Sequence, residues 1–397
     1  MAEFPRVMIQ SRSFPVAAVL LVISLLFTRS DALTKPDTSL KTLPVAYFGG
    51  VAVHPRAQAS YDMLAKMRIV VIEKWEGPCW DLCLANVSKG LQCQPSCQGE
   101  KQMMDTLQRV KKANPSVATG YYQNTLYMWR FQSLYGEFAF HNESLRALNG
   151  SIAGLENDNG MQNVPVFSHD RPDDVERYGE WLDYLSAVGY IDGTFLDKGD
   201  VFAFQNTSTK AWQVCEGPTG SFGHKWIHAC IPISATVAEA YNKGKSALLN
   251  KSIEVFTKND GFIMAPIYPG NLRMMNVGSG RTLKPLVQRI AKAKSDRTVE
   301  YIYLTCGDDH RQSNGSDTSS QCSDRQVAMF LLVLEEGMFL GANGWSDDFS
   351  KPLGNPLANA TEVRKVWSRK FSSGTSVTYH ESKGKAQIHW GDDATHE

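Results

Sequence analysis

Three apolar runs of this 397-residue chain end on groups that can do acid–base chemistry. RIVVIEKW (68–75) ends on Glu73-Lys74-Trp75 and is followed by Glu76. SVATGYYQ (116–123) delivers Tyr121, Tyr122 and Gln123 and then Asn124, and YIDGTFLD (190–197) delivers Asp197, followed by Lys198 and Asp200. Later runs add Tyr268, then Asp308, Asp309 and His310, then Asn343, Trp345 and Asp347. Any strand must surface somewhere, so no one of these residues argues for a site by itself. Their recurrence over five or six run ends does. Carboxyls in pairs supply an acid and a base or nucleophile for breaking a glycosidic bond, and aromatic faces stack on sugar rings. Asp197, Glu73 and Asp308 are among the carboxyls at those run ends. Trp75, Glu76, Tyr122, Asn124, Asp200, Tyr268, Trp345 and Asp347 are expected to bind substrate.

Other chemistries lack their residues. There is no G-x-S-x-G elbow for a serine hydrolase. No G-x-G-x-x-G follows the first run, and GSGRT at 278–282 lacks the lysine and spacing of a phosphate loop. His54, His169, His224 and His228 are single and scattered, the usual pattern of packed or loop histidines. His169-Asp170-Arg171 leads into a helix, which would bring it near the site. GDDH at 307–310 lies in a Ser/Asn/Gly-rich stretch and reads as a solvated turn, and Trp80 and Trp129 suit a core as well as a sugar platform. No cofactor or metal is expected.

The elements that must position these groups are strands alternating with helices. Seven continuous β-rich runs, at 43–50, 68–75, 116–123, 190–197, 261–268, 299–306 and 337–344, have the pattern of strands covered on both faces. An eighth is expected to hide in a weaker segment. Helices are expected over Asp173–Ala187, Ala235–Leu249, Leu283–Ala293 and Asp324–Glu336. Strand–helix alternation predicts an α/β protein with a parallel sheet, and the length suits a closed (β/α)8 TIM-type barrel. In such a barrel the C-terminal strand ends form the working face, where these polar groups fall. Beyond Pro356 the pattern alternates, with turns at Ser373-Gly374 and Lys383-Gly384, and predicts a small C-terminal antiparallel β-unit.

The N-terminus predicts the compartment. Arg6 and Arg12 precede an apolar run, Val16–Phe27, which is followed by Ser30-Asp31-Ala32. That predicts a secretory signal peptide over 1–32, with an uncleaved signal anchor as the competing reading. The run's 12-residue length falls short of the roughly 20 a membrane span needs. The expected domains are the signal 1–32, a barrel over 33–362 and a β-tail over 363–397, with no membrane attachment once the signal is removed. Eight cysteines fit an oxidising compartment. Nested Cys79–Cys97 and Cys83–Cys93 bridges are expected, with two other pairings open in that cluster, and then Cys215–Cys230 and Cys306–Cys322. Seven N-x-S/T sites, at Asn86, Asn142, Asn149, Asn206, Asn250, Asn314 and Asn359, predict a secreted glycoprotein. Lys plus Arg equals Asp plus Glu, 41 each, so no field would draw nucleic acid. The expected partner is a carbohydrate polymer.

Two regions carry a family resemblance. VPVFSHDRPDDVERYGEWLDYLSAVGYIDGTFLDKGD (164–200) resembles the central signature of glycosyl-hydrolase-like (β/α)8 barrel proteins, where a segment before a helix leads to a strand reading D-G-x-F-L-D. FLLVLEEGMFLGANG, FSKPLGNPL and VWSRKFSSGTSVTYH are similar to the closing pattern of the same group, distantly related to the endo-α-1,4-polygalactosaminidase type. The resemblance implies glycoside hydrolysis, with Asp197 at the group's catalytic aspartate and a structural role for Asp192. The chain departs from the group at Lys198, where a small amide is usual, and at Cys306-Gly307-Asp308-Asp309, where a glutamate would be looked for. The second carboxyl is then one of Glu73, Glu76, Asp308 and Asp347. The alternative is a non-catalytic carbohydrate-binding or matrix protein on the same barrel.

Overall fold

The computed structural model describes residues 33–51, 54–79, 99–127, 145, 147–149, 154–155, 164–215, 230–266, 270–277, 282–306 and 322–391. The expected signal peptide over 1–32 lies outside them. Eight parallel strands close into a barrel, each hydrogen-bonded to its neighbours in chain order. They are β1 (Val45–Gly49), β2 (Ile69–Ile72), β3 (Ala118–Asn124), β4 (Gly193–Asp197), β5 (Phe262–Ala265), β6 (Leu272–Asn276), β7 (Tyr301–Thr305) and β8 (Met338–Gly341). Pairing of β1 with both β2 and β8 completes the closure. All seven expected runs are strands, and the hidden eighth is β6.

β6 escapes a hydropathy reading for a physical reason. Its LRMMN is buried only at Leu272, with the next four side chains half-exposed. It also follows β5 after residues 266–271, with no helix among the described ones. Asn271 makes this tight return possible by serving as a surrogate for the backbone. Its side-chain oxygen accepts from the Ile263 amide at 2.7 Å, and its amide donates to the Gly261 carbonyl at 3.4 Å.

Six α-helices lie among the described residues: α1 (Gln58–Leu64), α2 (Gly99–Ala113), α3 (Pro172–Ala187), α4 (Ala235–Phe256), α5 (Lys284–Lys294) and α6 (Asp324–Val333). Their starts follow local chemistry. Pro172 occupies the first turn of α3 beside Asp173 and Asp174, where a missing N–H costs nothing and negative charge meets the helix dipole. Ser323 and Gln326 form a reciprocal capping box on α6. No helix of the described residues is long and apolar enough to cross a membrane.

In a parallel ladder, register partners point to the same side of the sheet. Phe48 pairs with Val71, Val71 with Gly120, and Gly120 with Gly193. The Phe48 and Phe195 rings meet at 4.5 Å between centroids, although β1 and β4 are not neighbours, so this side is the barrel interior. Phe262 from β5 fills that interior. A Cβ on Gly193 would come within 2.6 Å of its ring and one on Gly120 within 2.8 Å. The glycine of the D-G-x-F-L-D signature is therefore space left for a phenylalanine.

Asp192 enters β4 at the opposite end from Asp197 and is structural, as the resemblance implies. It accepts from the Thr119 amide at 2.9 Å, the Thr34 amide at 2.8 Å and Lys111 Nζ at 2.6 Å. Both expected later disulfides, Cys215–Cys230 and Cys306–Cys322, are present. Cys79 is disulfide-bonded too, while Cys83, Cys93 and Cys97, and with them the pairing of that cluster, lie outside the described residues. Of the expected N-x-S/T sites, Asn149, Asn250 and Asn359 are exposed and Asn206 is half-buried. Asn86, Asn142 and Asn314 lie outside the described residues.

The C-terminal β-unit is a four-stranded antiparallel sheet: β9 (Thr361–Val363), β10 (Val366–Lys370), β11 (Ser376–His380) and β12 (Lys385–His389). It packs on α6, and Arg369 of β10 joins the two. The buried guanidinium donates through Nη1 to the carbonyls of Leu331, Leu332 and Leu334 at 3.2, 3.2 and 2.6 Å, and through Nε to Ala358 at 3.0 Å. These are the carbonyls that the end of a helix leaves without partners, at the negative pole of its dipole. Arg369→Ala is expected to cost about 2–3 kcal/mol, the scale of hydrogen bonds to a charged group. Urea unfolding measures it, and an unchanged midpoint would remove Arg369 from this role.

Candidate active site

The interior register carries four candidate side chains to the C-terminal mouth. Tyr122 pairs with Phe195 and Asn124 with Asp197, so all four share the interior side. Glu73 lies two residues beyond Val71, and strand alternation turns it to that side as well. Phe48, Phe195 and Tyr122 form an aromatic floor, with the Tyr122 and Phe195 rings stacked at 5.9 Å.

Asp197 is held by two donors. Its Oδ2 accepts from the Tyr122 hydroxyl at 2.8 Å and from Asn124 Nδ2 at 2.9 Å. Asn124 cannot turn its amide round without loss, because its Oδ1 accepts from the Leu126 and Tyr127 amides at 2.8 and 2.7 Å. That fixes its NH2 toward the carboxylate. Neither of these bonds engages Oδ1 of Asp197.

Glu73 is 3 % exposed and its environment pulls two ways. Burial pushes its pKa up and the Asp197 charge adds to that, while Lys74 opposes them; the outcome is a value raised to about 7. Lys74 Nζ is 3.1 Å from Glu73 Oε2. The same ammonium lies 4.3 Å from the Tyr122 ring centroid and 4.7 Å from that of Trp75, within cation–π range of both. The Tyr122 phenol is pushed well above its ordinary value by burial and by the Asp197 and Glu73 charges, so it stays a hydrogen-bond donor. A carboxyl whose proton affinity lies near neutrality, beside a second carboxyl and a cation, can exchange a proton with a bound substrate near neutral pH.

The other expected residues take different places. Trp75 is half-buried beside Lys74. Glu76 is fully buried and committed to Arg56 through both its oxygens, at 2.9 Å to Nε and 2.7 Å to Nη2. Asp200 is exposed on the turn after β4. Trp345 packs edge-on to Phe349 at 5.8 Å, and Lys66 Nζ lies 5.8 Å from its ring centroid. Lys66 is on the turn entering β2, the opposite end of that strand from Glu73. Asp347 opens a 3-10 turn, Asp347–Ser350, capped by Ser346. Asp308 and Tyr268, with Asp309, His310, His224, His228, Trp80 and Trp129, lie outside the described residues. His54 sits 3.8 Å from both Glu76 and Asp105. His169 is buried, its Nε2 bonded to the Thr125 carbonyl at 2.7 Å. Among the described residues no three His, Cys, Asp or Glu side chains converge as metal ligands.

Sequence reasoning missed Lys245 of α4, which has no exposed surface. The signal was present. Lys245 stands in the stripe Ala238, Tyr241, Lys245, Leu248, Ser252, where helical spacing places a core residue.

No known protein family matches the sequence, and no curated protein does. Among solved structures, the chain is similar to a GH31 family sulfoquinovosidase from E. rectale: 15% identity, TM-score 0.47, covering 84% of this chain and 48% of that one. It is similar to a xylosidase from Aspergillus niger at 11% identity and TM-score 0.44, over 82% of this chain and 46% of that one. The glycoside hydrolase domain of PelA from Pseudomonas aeruginosa is similar at 10% identity and TM-score 0.29, over 66% of each chain. All three are glycosidases. The chain spans about half the length of the first two.

Proposed function

We propose that the protein is a secreted glycoside hydrolase in which Glu73 is the general acid and Asp197 the base or nucleophile. The observation that carries this reading is the pairing itself. Glu73, the residue that follows β2, and Asp197, the last of β4, turn to the interior side at the barrel mouth, and the Asp197 charge helps raise the Glu73 pKa. Glu73 with its affinity near neutrality holds a proton to give to the departing sugar oxygen. Once that proton has gone, Lys74 at 3.1 Å stabilises the glutamate left behind. Asp197 meets the other side of the anomeric carbon, either attacking it or taking a proton from water. Tyr122 and Asn124 hold it in place, and Trp75 offers a face for a neighbouring sugar ring.

The substrate is then an extracellular polysaccharide or amino-sugar polymer. The disulfides Cys215–Cys230 and Cys306–Cys322 support an oxidising compartment. The test is turnover on a panel of neutral, acidic and amino-sugar polysaccharides, read as new reducing ends, by wild type and Asp197→Asn. Cleavage of at least one polymer, lost in the variant, supports the reading. Binding without cleavage across the panel, or cleavage that Asp197→Asn leaves intact, overturns it.

A further inference from the structure

The strand ends that carry Asn124 and Asp197 are tied to a buried cation that the acid–base scheme leaves unused. Lys245 sits inside α4 with no exposed surface. A lysine so placed is costly unless its protons are matched. Nζ donates to the Lys198 carbonyl at 2.7 Å and to the Thr125 carbonyl at 3.3 Å. The Phe202 ring centroid lies 5.9 Å from it.

Both carbonyls belong to residues that hold the site. Thr125 follows Asn124, and its amide and hydroxyl each donate to the Asp197 carbonyl at 3.0 Å. Lys198 follows Asp197 and has a left-handed backbone, φ 60°, a conformation that costs a non-glycine residue energy and persists where the surroundings enforce it. Its carbonyl also accepts from the Val201 amide at 3.2 Å. His169 adds a second donor to the Thr125 carbonyl at 2.7 Å. A carbonyl only accepts, so His169 carries its proton on Nε2. Burial, with Lys245 beside it, holds its pKa down at about 3 and keeps the ring neutral.

We propose that Lys245 is a positioning residue for the carboxylate pair: its ammonium clamps the ends of β3 and β4 together and fixes the turn that aims Asp197. The charge has its own counterweights. Burial pushes the Lys245 pKa down to about 7 with Lys198 acting the same way, and the Asp200 and Asp197 carboxylates oppose them. The catalytic meaning of the clamp rests on the hydrolase reading; the clamp itself does not.

The test uses the full chain with Lys245→Met, which keeps the length and removes the donors, and Lys245→Gln, which keeps an N–H donor. Hydrogen exchange at pH 6 is followed at the Thr125, Leu126, Tyr127 and Val201 amides, with Val70 and Ile302 as controls in the barrel wall. In Lys245→Met the four site amides should exchange about tenfold faster or more, the factor expected from losing a hydrogen bond to a charged group, while the controls hold. Lys245→Gln should restore part of the protection. On any glycoside the wild type cleaves, kcat should fall in Lys245→Met at unchanged KM, with partial recovery in Lys245→Gln. Unchanged exchange at the four amides overturns the clamp. Exchange raised equally at the controls overturns it too, since that marks a merely structural lysine. Should no glycoside be cleaved, the exchange comparison still decides the clamp, so its failure and that of the hydrolase reading are read separately.

Discussion

Asp197→Asn is expected to lower kcat about a thousandfold or more on any glycoside the protein cleaves, within the range a positioned acid–base group supplies. The substitution is nearly isosteric and keeps an oxygen for Tyr122 and Asn124, which donate to Oδ2 at 2.8 and 2.9 Å. The loss would therefore report the carboxylate and not a collapsed site. Glu73→Gln should cost about 10²–10⁴, and least with substrates whose leaving group needs no proton. The pH profile gives the sign. As the proposed general acid Glu73 would work protonated, and its pKa is raised to about 7, so wild-type activity should fall as pH rises through about 7. Glu73→Gln should lose that alkaline limb. In Asp197→Asn the neighbouring negative charge that helps raise Glu73 is gone, so the limb of any residual activity should move to lower pH. A limb that stays put in both variants would assign the proton to another group.

The second large effect is structural. Glu76→Ala is expected to destabilise the protein by about 3–5 kcal/mol, because it leaves the Arg56 guanidinium buried without its counter-charge. Glu76 Oε1 accepts from Arg56 Nε at 2.9 Å and from Thr106 at 2.7 Å, and Oε2 from Arg56 Nη2 at 2.7 Å and the Val51 amide at 3.3 Å. Arg56 also reaches the Tyr47 hydroxyl at 3.2 Å and Ser60 at 3.4 Å. One buried pair thus joins the exit of β1, α2 and the segment that follows Glu73. The double variant Arg56→Met/Glu76→Leu should recover most of the loss, since hydrophobic replacement of a buried pair is often neutral. Against burial, the Arg56 charge and the His54, Arg56 and Thr106 hydrogen bonds hold the Glu76 pKa down at about 2. A depressed carboxyl contributes stability that is present in full above the unfolded value, about 4.3. That contribution is lost as pH falls through about 2. Urea titrations of wild type and Glu76→Ala should accordingly differ widely at pH 7 and converge toward pH 2; a gap below about 1 kcal/mol at pH 7 would show the pair to be dispensable.

The barrel was legible because continuous β-rich runs report burial on both faces, and seven of them are strands. β6 was not, because its side chains after Leu272 are half-exposed. α1 has seven residues and no capping side chain, so it carries no start signal. At the site, Asp197, Glu73, Tyr122 and Asn124 were readable as strand-end groups because register and alternation decide which face a strand residue shows. Residues further past the strand ends escaped that rule. Glu76 lies only three positions beyond Glu73 yet turns into the wall to meet Arg56, and Trp345 meets Lys66 on the turn entering β2. Lys245 is 48 positions from Asp197 in the sequence, and only packing of α4 on the barrel brings it under the Lys198 carbonyl.

The coupling of Glu73 to Asp197 can be measured without knowing any substrate. Carboxyl titration of glutamate-labelled protein by carbon NMR should show one side chain with its midpoint near 7. That signal should vanish in Glu73→Gln and move to lower pH in Asp197→Asn. If every glutamate of the wild type titrates in the ordinary range near 4.3, or if the raised midpoint ignores Asp197→Asn, Glu73 and Asp197 are not an acid–base pair.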